Sequence, residues 1–214
     1  MPLRQIRELN PHVYLGFWEI TESPEELSAL LNKYIGPNPA VVPTFTHAAR
    51  QRQWLASRVL AYSLLQKFTP EPLLLQTDAN GKPIVPASAY QVSISHCRDL
   101  AAVIVSDGVE VGIDIEFISP KVMRVADKFM VAAEKKDANE DIEKTLIYWS
   151  GKETLYKLYS KKRLLFKEHL FINSFNKVQA GTLTAQIAAP DCQKNYHLHY
   201  EIWDQHILTY SIDC

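Results

Sequence analysis

Asp114 and Glu116 stand two positions apart in the run Val109-Glu110-Val111-Gly112-Ile113-Asp114-Ile115-Glu116-Phe117. Alternate residues of a strand share a face. The run therefore sends Val109, Val111, Ile113, Ile115 and Phe117 towards a core, and Glu110, Gly112, Asp114 and Glu116 to the other side. Two carboxylates with Cα atoms roughly 6–7 Å apart repel each other unless a cation lies between them. A hard divalent ion with oxygen ligands answers that need, and Gly112 leaves the backbone open beside the acids. The same pattern also describes the solvated face of an amphipathic strand, and the segment alone leaves both readings open.

Glu153 is the second acidic candidate. At helical spacing Ile142, Leu146, Trp149, Glu153 and Tyr156 form one stripe, while Ile147, Leu155 and Leu158 form a second apolar face with Gly151 allowing close approach. A carboxylate inside an apolar stripe needs a partner. Lys157, one turn on, can supply a structural ion pair. The alternative makes Glu153 a third metal ligand or a general base beside an electrophilic lysine.

Three further groups suit phosphate. Ser95-His96 ends a strand, Lys82 sits on the rigid turn Asn80-Gly81-Lys82-Pro83, and Arg50, Arg52 and Arg58 lie on one helical segment. Each has a plainer reading as a structural or solvated group. The sequence has no Walker loop, GxGxxG, HExxH or GxSxG.

The elements that must position these residues are legible from spacing and punctuation. A strand is expected over residues 10–20, with Val13, Leu15 and Phe17 alternating. A short helix is expected over Glu22–Tyr34, capped by Ser23 with Pro24 at its first position and stopped by Gly36-Pro37-Asn38-Pro39. Thr46–Phe68 reads as a long helix, with Trp54, Leu55, Val59, Tyr62 and Leu65 on its apolar face. Strands follow at Gln91–Ser95, Ala101–Val105 and Val109–Phe117, with a turn at Cys97-Arg98-Asp99 and a hairpin signal at Asp107-Gly108. A helix over Val122–Glu134 precedes a long helix over Asp141–Ser160, and strands are expected at Leu183–Ile187, Tyr196–Trp203 and His206–Ile212. The layout predicts an α+β protein of two similar lobes.

The 214 residues suffice for two lobes with a sizeable core, and a net charge of −1 gives no basic field for nucleic acid. Cys97, Cys192 and Cys214 form no CxxC pair and read as ordinary thiols. With no apolar leader and no membrane-length run, the expectation is a cytoplasmic protein without a membrane partner.

Taken in order, the arginine helix, Asn80-Gly81-Lys82-Pro83, Ser95-His96, Val111-Gly112-Ile113-Asp114-Ile115-Glu116 and Trp149-Ser150-Gly151-Lys152-Glu153-Thr154-Leu155-Tyr156-Lys157 resemble the motifs of the 4′-phosphopantetheinyl transferases. The likeness runs from about residue 45 to 170, and the length resembles the monomeric surfactin-synthetase-activating type. That resemblance implies two α/β lobes related by a pseudo-twofold, each with a long helix on a small antiparallel sheet. It divides the chain into 1–107 and 108–214, with the active site between the lobes. It further implies a Mg²⁺-dependent transfer (Mn²⁺ serving as well) of phosphopantetheine from coenzyme A to a serine of an acyl or peptidyl carrier protein. On this reading Asp114, Glu116 and Glu153 hold the metal, while Glu153 and Lys157 are catalytic. Arg52 (in preference to Arg50), Lys82, Ser95, His96, Asp114 and Lys157 bind coenzyme A. The basic cluster Lys157, Lys161, Lys162, Arg163 and Lys167 would meet an acidic carrier. The stretch between Glu116 and Trp149 is shorter than the family pattern, in the region that contacts the carrier. Two other classes remain: a metal-dependent hydrolase of nucleotide pyrophosphates, and a module that binds coenzyme A or a carrier without turnover.

Overall fold

The computed structural model describes residues 3–36, 43–161 and 164–213. Residues 37–39 of the expected helix stop, Lys162 and Arg163 of the basic cluster, and Cys214 lie outside them. The chain forms two compact units, Met1–Val109 and Glu110–Cys214. Each is built on one antiparallel sheet and carries a helix of 18 residues packed on it.

The first unit contains β1 (Leu3–Asn10), β2 (Val13–Glu19), α1 (Pro24–Ile35), α2 (Ala48–Leu65), β3 (Gln76–Thr77), β4 (Pro83–Ile84), β5 (Tyr90–Cys97) and β6 (Leu100–Asp107). The sheet order is β1-β2-β6-β5-β4-β3. Strand β1 was not expected from the sequence: it is a polar edge strand with no clean alternation, and only its pairing with β2 reveals it. Helix α1 begins as expected, with the Ser23 hydroxyl accepting from Glu26 N–H and the Glu26 carboxylate accepting from Ser23 N–H. Helix α2 buries Leu55, Val59, Tyr62 and Leu65 as its spacing predicts. It is shorter than Thr46–Phe68, starting after His47 and ending at Leu65.

The Asp107-Gly108 turn does not close a hairpin. Gly108 has φ 121°, but β6 and the next strand belong to different sheets.

The second unit contains β7 (Glu110–Phe117), a 3₁₀ turn Pro120–Arg124, α3 (Ala126–Phe129), α4 (Ala132–Ala138), α5 (Ile142–Tyr159), α6 (Phe166–His169), β8 (Leu170–Ile172), β9 (Ala180–Ala189), β10 (Cys192–Trp203) and β11 (His206–Asp213). The sheet order is β7-β11-β10-β9-β8. Helix α5 is capped by Asp141, whose carboxylate accepts from Lys144 N–H, and ends at Ser160 with φ 57°. The single helix expected over Val122–Glu134 is instead three short pieces. The chain is extended at Met130, and the Phe129 carbonyl turns to accept from Lys152 Nζ at 2.6 Å rather than continuing a helical ladder.

Both faces of β7 are buried, which corrects the assignment of Val111, Ile113 and Ile115 alone to a core. The face carrying Gly112 and Asp114 packs under α5. Gly112 therefore does not leave open space. A Cβ there would lie 2.8 Å from Leu158 Cγ and 2.9 Å from the Thr154 carbonyl oxygen. Because one of those neighbours is backbone, Gly112→Ala is expected to destabilise the protein by about 1–3 kcal/mol. Urea unfolding would measure this, and an unchanged midpoint would contradict the close approach. Gly151 does the same on the helix side, where a Cβ would meet Ile172 Cδ1 at 2.7 Å.

Candidate active site

Asp114, Glu116, Glu153 and Lys157 come together because α5 lies against β7. A chain of buried hydroxyls sets the helix register: Thr209 Oγ1 is 2.9 Å from Ser150 Oγ and 2.7 Å from Thr154 Oγ1. Thr209 pairs with Asp114 across the β7–β11 ladder. Glu153 directly precedes Thr154 on the helix whose register these hydroxyls set.

Lys157 does not pair with Glu153 as the helical spacing suggested. Its Nζ donates to Asp114 Oδ1 at 2.9 Å and to the Ile113 carbonyl at 2.8 Å. Asp114 is 4% exposed, so a buried carboxylate competes better for the ammonium than a half-buried one. Glu116 Oε1 accepts from Trp149 Nε1 at 2.8 Å. Glu153 makes no hydrogen bond or ion pair among the described residues.

The acids act on one another electrostatically. Burial, then the Asp114 charge, pushes Glu116 up to about 7. Glu153 is pushed up to about 7 by burial, then by Asp114, with Lys157 opposing and Glu116 adding. The donors are oxygen only, which suits a hard cation. They are not closed round one point: among the described residues no group of three His, Cys, Asp or Glu side chains is gathered to hold a metal ion. Lys157 and Trp149 occupy oxygens that a cation would share.

The remaining sequence-predicted residues belong to the first unit. Arg52 Nη2 is 4.0 Å from Asp99 Oδ1 in the β5–β6 turn, and Gln53 Nε2 donates to the Arg98 carbonyl at 2.7 Å. Arg50 is exposed, whereas Arg52 is half-buried beside that turn. Ser95 is buried and His96 exposed near the C-terminal end of β5. Lys82 follows Gly81 (φ 95°) on a turn whose Asp78 carboxylate accepts from the Asn80 and Lys82 N–H groups. Ile84 pairs with Gln91 in antiparallel register, so Lys82 lies towards the end of β5 that carries His96.

Two family models match these units. One, described as the 4′-phosphopantetheinyl transferase N-terminal domain, matches residues 40–106. The other, described as the 4′-phosphopantetheinyl transferase superfamily, matches residues 110–211. The chain belongs to the 4′-phosphopantetheinyl transferase superfamily. A protein of Bacillus pumilus named 4′-phosphopantetheinyl transferase psf-1 is 30% identical over 131 residues, which is 57% of this chain and 56% of that one. A protein of Salmonella typhimurium named 4′-phosphopantetheinyl transferase AcpT is 36% identical over 83 residues, 38% of this chain and 41% of that one. The chain thus spans about half the length of the curated relatives it matches.

Within this superfamily member, two residues escaped the sequence reading of the site. Trp149 positions Glu116, and it is itself packed against Phe129 and Phe166 at 5.0 and 5.5 Å between ring centroids. Lys152 is fully buried and pairs with Glu134 at 2.7 Å. A lysine beside an acidic helix residue carries no signal of burial when its partner is 18 positions away. Of the basic cluster, Lys161 is tied to Asp191 at 2.9 Å and Lys167 donates to the Asp127 carbonyl at 3.3 Å. Among the described residues no helix is long and apolar enough to cross a membrane.

Proposed function

We propose that this protein is a cytoplasmic, monomeric enzyme that transfers the 4′-phosphopantetheine arm of coenzyme A to a serine of an apo acyl or peptidyl carrier protein, releasing adenosine 3′,5′-bisphosphate. The observation that supports it most is the convergence of Asp114, Glu116, Glu153 and Lys157 in the matched superfamily region. Asp114, Glu116 and Glu153 would hold Mg²⁺ or Mn²⁺. When bound, the ion offsets charge that builds on the pyrophosphate oxygens.

The chain's own residues carry the other tasks. Arg52, Lys82 and His96, with Ser95 nearby, would hold the 3′-phosphate end of coenzyme A through charge-assisted hydrogen bonds. Asp114 and Lys157 would bind at the pyrophosphate end. The carrier serine Oγ attacks the β-phosphorus as the bond from that phosphorus to the nucleotide oxygen breaks. Its proton passes to Glu153, directly or through a water. Lys157 stabilises the departing phosphate.

The test is a mass-spectrometric transfer assay with coenzyme A, Mg²⁺ and an apo acyl or peptidyl carrier, repeated with EDTA. A carrier gain of about 340 Da, the covalent arm, lost with EDTA, is the expected result. No gain on either carrier, with coenzyme A still bound, would move the reading to a binding module.

The metal can also be tested through stability. Glu116 and Glu153 lie near 7 when folded and near 4.5 by default, so the folded chain retains protons that the unfolded chain has released. Their contribution to stability therefore falls as pH rises from about 4.5 to about 7 and levels off above. In EDTA, Glu153→Gln is expected to flatten this slope in thermal melts. At pH 8, where both carboxyls are already largely ionised, Mg²⁺ should offset their mutual repulsion and raise Tm. A Tm unmoved by millimolar Mg²⁺ would count against the metal.

A further inference from the structure

A cavity of about 310 Å³ opens in the first unit between α1, α2 and the segment leading into β3. It lies at the small end of the range for ligand pockets. Its walls are largely apolar, with Leu31, Pro43, Trp54 and Leu74 prominent, and Gln76 and Thr77 lie at one side. Two polar groups enter this setting from one face of α2, four residues apart: Arg58 and Tyr62.

Arg58 stacks on Trp54, with its guanidinium carbon 4.8 Å from the ring centroid. Among the described residues it forms no ion pair. Residues 37–42, Pro-Asn-Pro-Ala-Val-Val, contain no acid that could supply one. Burial draws Arg58 down to about 10, with the neighbouring Tyr62 opposing. A guanidinium in such surroundings is costly without a counter-charge. Tyr62 is 4% exposed. Its oxygen accepts from Leu75 N–H at 2.9 Å, and its own proton has no acceptor among the described residues. Buried hydroxyls normally satisfy both roles.

We propose that this cavity binds a small organic anion, with the carboxylate or phosphate end on the Arg58 guanidinium and the Tyr62 hydroxyl and an apolar body against Trp54 and Leu74. The guanidinium fork matches either anion bidentately. The inference does not depend on phosphopantetheine transfer: none of Arg52, Lys82, Ser95 or His96 lines the cavity.

Calorimetric titration of the full chain with 2-naphthoate, 2-naphthyl phosphate and the neutral 2-naphthamide tests it. The expected result is binding of at least one anion, weakened about tenfold or more for the amide and in Arg58→Met. The stronger of the two anions identifies the class of head group. Thr77→Phe, at an exposed position on the rim, should block binding without relying on an Arg58 variant that folds poorly. Binding of the amide as tight as the anions, binding unchanged in Thr77→Phe, or no binding of any probe would overturn the proposal.

Discussion

Asp114→Ala is expected to lower the proposed phosphopantetheine transfer by roughly 10²–10³-fold or more, the scale seen when one preorganised charge-stabilising group is removed from an active site. The fold should survive. Asp114 is buried, but its ammonium partner Lys157 lies only one helical turn from Glu153 and can turn to it when the strand carboxylate is gone. The substitution also removes the Asp114 charge that helps push Glu116 and Glu153 up, so both should ionise at lower pH. Single-turnover transfer, circular dichroism and an EDTA melt between pH 5 and 8 check the three parts. Near-normal transfer in a folded variant would sink the assignment of Asp114.

Lys152→Met is expected to cost about 3–5 kcal/mol of stability, the usual result of stripping one partner from a buried ion pair. Lys152 is fully buried, and its Nζ donates to Glu134 Oε2 at 2.7 Å, to the Phe129 carbonyl at 2.6 Å and to the Phe166 carbonyl at 3.4 Å. Glu134 meanwhile accepts from Val131 N–H at 3.0 Å and Ile172 N–H at 3.1 Å. The pair thus ties α3, α4, α6 and β8 to the helix that carries Glu153. Burial draws Lys152 down while Glu134 opposes, the balance expected of a charge held inside by its partner. The double variant Lys152→Met/Glu134→Gln should recover part of the loss, because the stranded carboxylate is then neutral. Urea unfolding of both variants and the parent measures this. A loss under 1 kcal/mol for Lys152→Met would show that the pair is not what secures the segment.

Asp114 touches the proposed chemistry, whereas Lys152 acts through the element on which Glu153 and Lys157 ride. A stability loss in Lys152→Met with transfer per folded molecule intact would separate positioning of α5 from the reaction itself.

Local signals carried much of this protein. The capping of α1 by Ser23, the α5 boundaries at Asp141 and Ser160, and the strands at β5, β6 and β7 follow from residue types within a few positions of one another. Such interactions are decided by neighbours along the chain. So was the candidacy of Asp114, Glu116, Glu153 and Lys157, since their spacing on one strand and one helix was enough to mark them. Tertiary structure decided who partners whom. Lys157 goes to Asp114 rather than Glu153, Trp149 goes to Glu116, and Lys152 disappears into the interior with Glu134. It also decided that Gly112 is filled by α5 rather than open, and that the Asp107-Gly108 turn joins two sheets instead of closing a hairpin. The three side-chain pairings join residues 18 to 43 positions apart. Burial there makes an unpaired charge costly, so the available partner in space prevails over the nearest partner in sequence.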